Sequence, residues 1–466
     1  MVTKHIAAAI LFATLLYAGI LPRARRERYV SAVPRESLAL VTGCVVSNPV
    51  KLSGGRGGEA MYRFDFELER AGMSAAAAVS LGADWFESGA RGVISVLYPA
   101  TLFEAVFPGR LYSAAAAQNS RAIFIDSGIR LTLRGKTTAN FFAADSAEYA
   151  GGETQRFASV LRSASRLAFR RALYAWGNAG GLFLALVTGS REYTEDRLSA
   201  LFAAAGLAHV LALSGMHLSI FTGFSSKLGK RAGAKLGALF SLVTVLAFVW
   251  FAGFTPSLRR AFLCFLINFC AKLCGKKPPA QSGMMSVLAL AFVLHVCAAP
   301  AEAASLSFIL SYLGLAGILA AGSVSRFLFA GAAYSLYSAV TAKAAAEKMR
   351  EANAKKTFIF SQKLREKLTG AGRGVCSDIN AGAGAFFATA PVTASVFGYL
   401  TPVSIASSLV VSPLAAIFII AGVCCFTLIL VFPGLTFFAG RLMNALYNAI
   451  LACVTFFSRA PMLRLG

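Results

Sequence analysis

The residues best suited to chemistry fall between positions 186 and 221, in LVTGSREYTEDRLSALFAAAGLAHVLALSGMHLSIF, where Arg191, His209, Ser214 and His217 stand among long apolar runs. Ionisable and hydrogen-bonding groups at membrane depth are costly and normally face a bundle interior or an aqueous path. On an unbroken helix, His209 and His217 point about 80° apart. Gly215 lies between them and permits either a local break or the close approach of a neighbouring helix. Two readings follow for this stretch: hydrogen bonds between helices satisfy the hydroxyl and the rings, or these groups line or gate a pore. A hydrolase is disfavoured, because Ser214 beside Gly215 does not form a GxSxG elbow and no facing base is placed by the sequence.

Two further clusters share this character. FAGFTPSLRRAF, positions 251–262, places Ser257, Arg259 and Arg260 at the junction of two apolar segments. Ser257 is predicted to cap the second segment, with Pro256 just before it. The two arginines are predicted to snorkel at a helix end, with one of them turning inward. ASLSFILSYLGLAGIL, positions 304–319, places Ser307 and Ser311 on one helical face with Gly314 and Gly317 following. That face reads either as small-residue packing or as a polar stripe.

The elements that must hold these groups are set by composition. Of 466 residues, 57% are hydrophobic and 14% are charged, against roughly 25% charged in a soluble domain. Such a chain cannot cover a water-soluble surface, and a polytopic α-helical membrane protein is predicted. Lys and Arg number 45 against 21 Asp and Glu, a net charge of +24. This excess suits loops at the cytoplasmic lipid surface or a route for a polyanion. Seven of the nine Cys lie in apolar segments and no CxxC pair occurs, which argues against a disulfide framework or a zinc-thiolate site. The four His, at 5, 209, 217 and 295, form no metal motif, and neither a P-loop nor a dinucleotide fingerprint is present. No cofactor, no metal-dependent nuclease site and no enzymatic activity are therefore expected.

Along the chain, residues 1–28 read as one transmembrane helix with the basic flank RARRER. Residues 35–150 read as a small all-β soluble domain. In AMYRFDFELER, Tyr62, Phe64, Phe66 and Leu68 alternate with Arg63, Asp65, Glu67 and Glu69, the period of a half-buried strand. LALVTGCVV, GVISVLY, RAIFIDSG and IRLTLRG supply further strands. Positions 35–149 carry eleven basic and eleven acidic residues, so the positive charge lies elsewhere. Residues 156–175 read as an amphipathic interfacial helix, with Arg162, Arg166 and Arg170 every fourth position. Residues 176–460 read as a multi-span domain with a basic polar loop at 343–382. Its first apolar segment, 176–189, is short enough to be broken or re-entrant. The neighbourhood of 403–431 is open to interruption at Pro413.

Loop charges give sidedness. Nine Lys or Arg against three Glu between Lys343 and Arg373, with Lys227, Lys230, Arg231 and Lys235, and with Lys272, Lys276 and Lys277, mark three cytoplasmic loops. The same rule applied to RARRER and to Arg156–Arg171 puts the β-domain in the cytoplasm.

Three of these clusters, in order, resemble motifs of the ComEC family, the inner-membrane channel of bacterial natural transformation. Leu186–His217 resembles LTGxR…GLAHxLAISGxH; Pro256, Ser257, Arg260 and Ala261 resemble PSxxRA; Ser307, Phe308, Leu310 and Ser311 resemble SFxLS. A later P…FG…NxxxxP element is approached by Pro391, Phe397, Gly398 and Pro413, with Ser408 in place of Asn. The resemblance spans about 176–425. It implies an oligonucleotide-binding-like β-domain on the outer side and passage of one DNA strand across the cytoplasmic membrane. It further implies as partners incoming single-stranded DNA and membrane lipids, with a separate nuclease, a DNA receptor, a cytoplasmic DNA-translocating ATPase and a second copy of the chain as additional candidates. With no His after His295, a metallo-β-lactamase-like domain is not expected, which would make this a short form. Arg191, His209, Ser214, Gly215, His217, Ser257, Arg260, Ser307 and Ser311 are the channel or gating candidates. The alternative is a transporter or flippase of another substrate, or a membrane scaffold.

Overall fold

A computed structural model describes residues 29–52, 61–74, 87–99, 125–138, 141–150, 157–190, 196–213, 215–229, 233–274, 281–322 and 377–464. The apolar run at 1–28, Arg191, Ser214, the apolar segment 326–342 and the basic residues 343–376 lie outside them.

The alternating stretch folds as a long strand whose inward residues nucleate a barrel. Tyr62, Phe64, Phe66 and Leu68 are at most 3% exposed. The strands in chain order are β1 (Val30–Ser31), β2 (Leu38–Val45), β3 (Val50–Leu52), β4 (Met61–Met73), β5 (Glu87–Arg91), β6 (Val93–Pro99), β7 (Arg130–Thr137) and β8 (Phe142–Tyr149). Five of them close on themselves in the order β4-β2-β7-β8-β6-β4. Every contact in the ring is antiparallel except β6 with β8, where Val96 and Leu97 face Phe142 and Ala143 in parallel. Numbering the five barrel strands along the chain, the ring reads 1-2-3-5-4-1.

Closure needs local bends, and two glycines at register shifts supply them. The ladder slips at Thr42/Gly43 and at Arg134/Gly135. A Cβ at Gly43 would sit 1.9 Å from the Glu67 carbonyl oxygen, and one at Gly135 would sit 1.9 Å from that of Ala143. Burial raises the Tyr98 phenol above its ordinary pKa inside this apolar core.

RAIFIDSG is not a strand over its described part. Ile125–Gly128 is a turn, and it presents Asp126 to α1 (Phe157–Leu173). Arg166 Nη1 donates to Asp126 Oδ1 at 2.8 Å and to Asn48 Oδ1 at 3.0 Å; Arg166 and Asp126 are both 0% exposed. Arg162 Nη2 donates to the Ser127 carbonyl and, at 2.9 Å, to its hydroxyl. Arg170 donates to Ser190 Oγ at 3.3 Å. The arginine stripe therefore faces protein rather than water or headgroups, because the barrel turn offers carboxylate and carbonyl acceptors at matching spacing. The exposed side of α1 carries Phe157, Val160 and Leu161.

Past α1 the described residues are mostly helical, apart from the short antiparallel pair Tyr399–Leu400 and Leu463–Arg464: α2 (Asn178–Thr188), α3 (Asp196–Ala204), α4 (Ala208–Leu211), α5 (Gly215–Gly229), α6 (Ala234–Ala252), α7 (Pro256–Leu273) and α8 (Gln281–Ala298). These are followed by α9 (Leu306–Gly322), α10 (377–397), α11 (Ser404–Val431) and α12 (Thr436–Phe457). Residues 377–382, expected at the end of the basic loop, already belong to α10. Pro413 does not interrupt α11, which runs through it for 28 residues; the chain breaks instead at Pro433. Two helices, Ser404–Val431 and Pro433–Phe457, are long and apolar enough to cross a membrane.

α2 is unbroken across its adjacent glycines and has 11 residues, with Ala179–Thr188 all buried. At about 1.5 Å per residue it is too short to span a bilayer. Its backbone is covered by protein, as such a segment requires. Phe183 occupies the space where Gly422 of α11 lacks a side chain, a Cβ there falling 2.3 Å from the ring. Asn444 of α12 donates to the Trp176 carbonyl at 3.1 Å.

Replacing Asp126 with Ala removes the carboxylate beside Arg166 in a site closed to water. Removing one partner of a buried pair costs about 3–5 kcal/mol, so amide exchange in α1 and in 125–129 is expected to accelerate. Exchange identical to wild type would show that the pair does not secure the barrel.

Candidate functional site

The stretch that carries His209 and His217 is not one unbroken helix. α4 ends at Leu211, Ala212 is extended (φ −82°, ψ 136°) and α5 begins at Gly215. The turn is thus made before Gly215, which does not have positive φ. This helix end packs directly against α7: a Cβ at Gly215 would stand 3.4 Å from Arg260 Nη2, an ordinary contact.

A helix break frees carbonyls, and buried carbonyls need donors. Ser257 supplies one by donating to the Leu213 carbonyl. The predicted capping role falls instead to Thr255, whose hydroxyl accepts from the Leu258 N–H at 3.3 Å, with Pro256 in the first turn of α7. Proline suits that position because its missing N–H would have had no intrahelical acceptor. One turn further on, Arg260 is 9% exposed and its Nη1 donates to the Ser311 carbonyl in α9. Leu213, Gly215, Ser257, Arg260 and Ser311, far apart in sequence, therefore meet at one seam between α5, α7 and α9.

Other expected residues are placed differently. His217 is 1% exposed in the first turn of α5. His209 on α4 and Ser307 on α9 are exposed, and Ser311 is half-buried. Ser311 Oγ is buried without a hydrogen-bond partner among the described residues. Arg191 and Ser214 lie outside the described residues.

Beside the seam is a second polar network that motif reading missed. Glu302 Oε1 takes Arg259 Nη2 at 3.1 Å and its Oε2 lies 2.9 Å from His295 Nε2. His295 Nδ1 is 3.2 Å from the Tyr312 hydroxyl, which donates to the Ala291 carbonyl at 3.1 Å. Arg259 also lies over the Phe254 ring at 5.0 Å. A signal was present: Glu302 is the single carboxylate between Asp196 and Glu347, and an isolated carboxylate in an apolar stretch implies a partner. The adjacent arginines thus differ in kind. Arg259 is neutralised by Glu302, whereas Arg260 has no carboxylate within ion-pair distance among the described residues.

Among the described residues, no group of three His, Cys, Asp or Glu could hold a metal ion. Two open grooves on α12, one bordered by Arg441 and Asn444 and the other by Thr455 and Arg459, include no residue of the seam.

Glu302→Ala deprives Arg259 and His295 of their shared carboxylate. Charged hydrogen bonds contribute about 1.5–3 kcal/mol each, so the detergent-solubilised protein should unfold at a clearly lower temperature. An unchanged midpoint would mean that the network does not brace the seam.

A protein-family profile described as Competence protein matches residues 186–466, from the end of α2 across the seam to the end of the chain. No curated protein and no solved structure matches the chain. The matched span is more than half of the sequence, and the chain belongs to the Competence protein family.

Proposed function

We propose that this protein is a polytopic inner-membrane channel that passes one strand of incoming DNA into the cytoplasm during natural transformation. The observation that carries this reading is the seam itself. Within a Competence protein domain, three separated polar clusters converge on a broken helix, and a buried guanidinium there has no carboxylate beside it among the described residues. Broken helices at membrane depth are where transporters commonly place substrate groups. The barrel supports the same reading, because its 1-2-3-5-4-1 order with one parallel contact is the connectivity of oligonucleotide-binding barrels.

The helices that hold the seam support an outer placement of the barrel. α5 and α6 form an antiparallel pair, with Ser225 donating to Ser241 at 3.4 Å and Gly229 packed on Gly237. Basic residues gather where the two helices meet end to end in the sequence: Lys227 in the last turn of α5, Lys230 and Arg231 after it, and Lys235 at the start of α6. At the opposite end of α6, about 28 Å away for 19 helical residues, the turn at 253–255 approaches α1, with Arg162 Nη1 3.9 Å from a Cβ built on Gly253. Arg162 also holds the barrel. With basic loops in the cytoplasm, the barrel and the N-termini of α5 and α7 face outward. This geometry favours the outer placement over the one read from RARRER. Lipids and the passing strand are the direct partners in this reading; a nuclease, a receptor and a motor ATPase act as separate chains.

Two measurements test it. Deleting the gene in a competent strain should abolish acquisition of transforming DNA while surface capture persists; undiminished transformation would refute the channel. Gly89→Cys, at an open barrel position, should react with a membrane-impermeant thiol reagent in intact cells, whereas Lys235→Cys should react only after lysis. The opposite pattern would place the barrel inside.

A further inference from the structure

We infer that the N-terminus of α5 and the Arg260 guanidinium together form an oxyanion site, which holds one backbone phosphodiester of the passing strand. The inference rests on the DNA-channel reading and specifies what its seam binds.

The site has two independent halves. α5 is a 15-residue helix, and the N–H groups of Gly215 and Met216 have no carbonyl one turn earlier in the helix to receive them. Aligned peptide dipoles add about half a positive charge at that end, the arrangement by which helix N-termini take up phosphate. Against this end lies a side chain from another helix. Arg260 is nine-tenths buried; its Nη1 is committed to Ser311, while its Nε is buried without a hydrogen-bond partner among the described residues. Its Nη2 stands 3.4 Å from the point where a Gly215 side chain would begin.

The bond to Ser311 joins two helices, and it leaves the positive charge without a counter-charge among the described residues. A buried cation without a counter-charge is costly, and Arg259, one residue earlier, shows how the protein removes that cost, with Glu302. Arg260 is held by a neutral carbonyl instead, so its charge remains available to an anion. The Leu213 carbonyl, just before the start of α5, is taken up by Ser257. Contacts of this kind read phosphate and ignore base identity, as uptake of arbitrary sequence requires.

The test is binding of a fluorescent oligothymidylate to the purified full chain in detergent, titrated over a range of salt. One phosphate contact contributes about 0.7 to the slope of log affinity against log salt for a single strand. Arg260→Gln should lower the slope by that amount and weaken binding about tenfold at low salt. Gly215→Ala retains the charge, and its methyl meets Arg260 at ordinary contact distance. The methyl stands between the helix end and the guanidinium, so it should produce the same loss with an unchanged unfolding temperature, and it carries the test if Arg260→Gln does not fold.

If the wild type binds the strand and folded variants match it in affinity and slope, the site is refuted while the DNA reading stands. If the wild type does not bind the strand, the DNA reading fails with it. Phosphorus analysis of the purified proteins adds an arm: phospholipid that co-purifies with wild type and is lost in both variants would assign the site to a lipid headgroup and overturn the strand assignment.

Discussion

The hydrogen bond from Arg260 to the Ser311 carbonyl, paired with that from Ser257 to the Leu213 carbonyl, holds together helices that the chain separates by up to about a hundred residues. Backbone groups freed inside an apolar bundle must find protein partners, since neither lipid nor water is present to receive them. The break between α4 and α5 creates that need, and the first turn of α7 meets it. Because the donors are side chains on a neighbouring helix, the break depends on correct tertiary packing. In return, α5 can begin within the bundle with its positive end pointing at a guanidinium.

α1 transmits this arrangement to the barrel. Its arginines face Asp126 and Ser127, while Phe169 near its far end packs against Phe251 at 5.4 Å and Phe426 at 4.8 Å between ring centres. One helix is thus held on two sides by different chemistry: charged hydrogen bonds toward a domain with a polar surface, and aromatic contacts toward an apolar one. Where the barrel sits relative to the helix break follows from that division. The uncovered apolar edge at Phe157, Val160 and Leu161 lies at the same level as the turn at 253–255 and suits the lipid boundary.

Much of the barrel could be read directly. The alternation in Tyr62–Leu68 gives its inward face, because side chains on a strand alternate with period two whatever the rest of the fold does. Short or glycine-rich strands such as Glu87–Arg91 escaped, since they have too little apolar contrast to register. RAIFIDSG reads as a strand because of its apolar run Ala122–Ile125, yet its described part, Ile125–Gly128, forms a turn. The site was legible as a set of polar residues within apolar runs, and Ser257, Gly215, Arg260 and Ser311 do come together. Their roles were less legible. Ser257 was expected to cap its own helix, but it is Thr255 that does so, because a hydroxyl at either position satisfies the local rule and only the position of Leu213 separates them.

Residue type and local periodicity were sufficient for an apolar helical chain, a β-domain near its start, an uneven distribution of charge and a short set of polar residues with reason to be conspicuous. These properties depend on neighbours within a turn or two. Which arginine is neutralised was a matter of long-range packing. Arg259 and Arg260 are adjacent and chemically identical, yet about 100° of helical rotation separates them. One therefore meets Glu302 and the other a carbonyl 51 positions away. No local pattern encodes that difference, because it exists only once α8 and α9 are packed against α7.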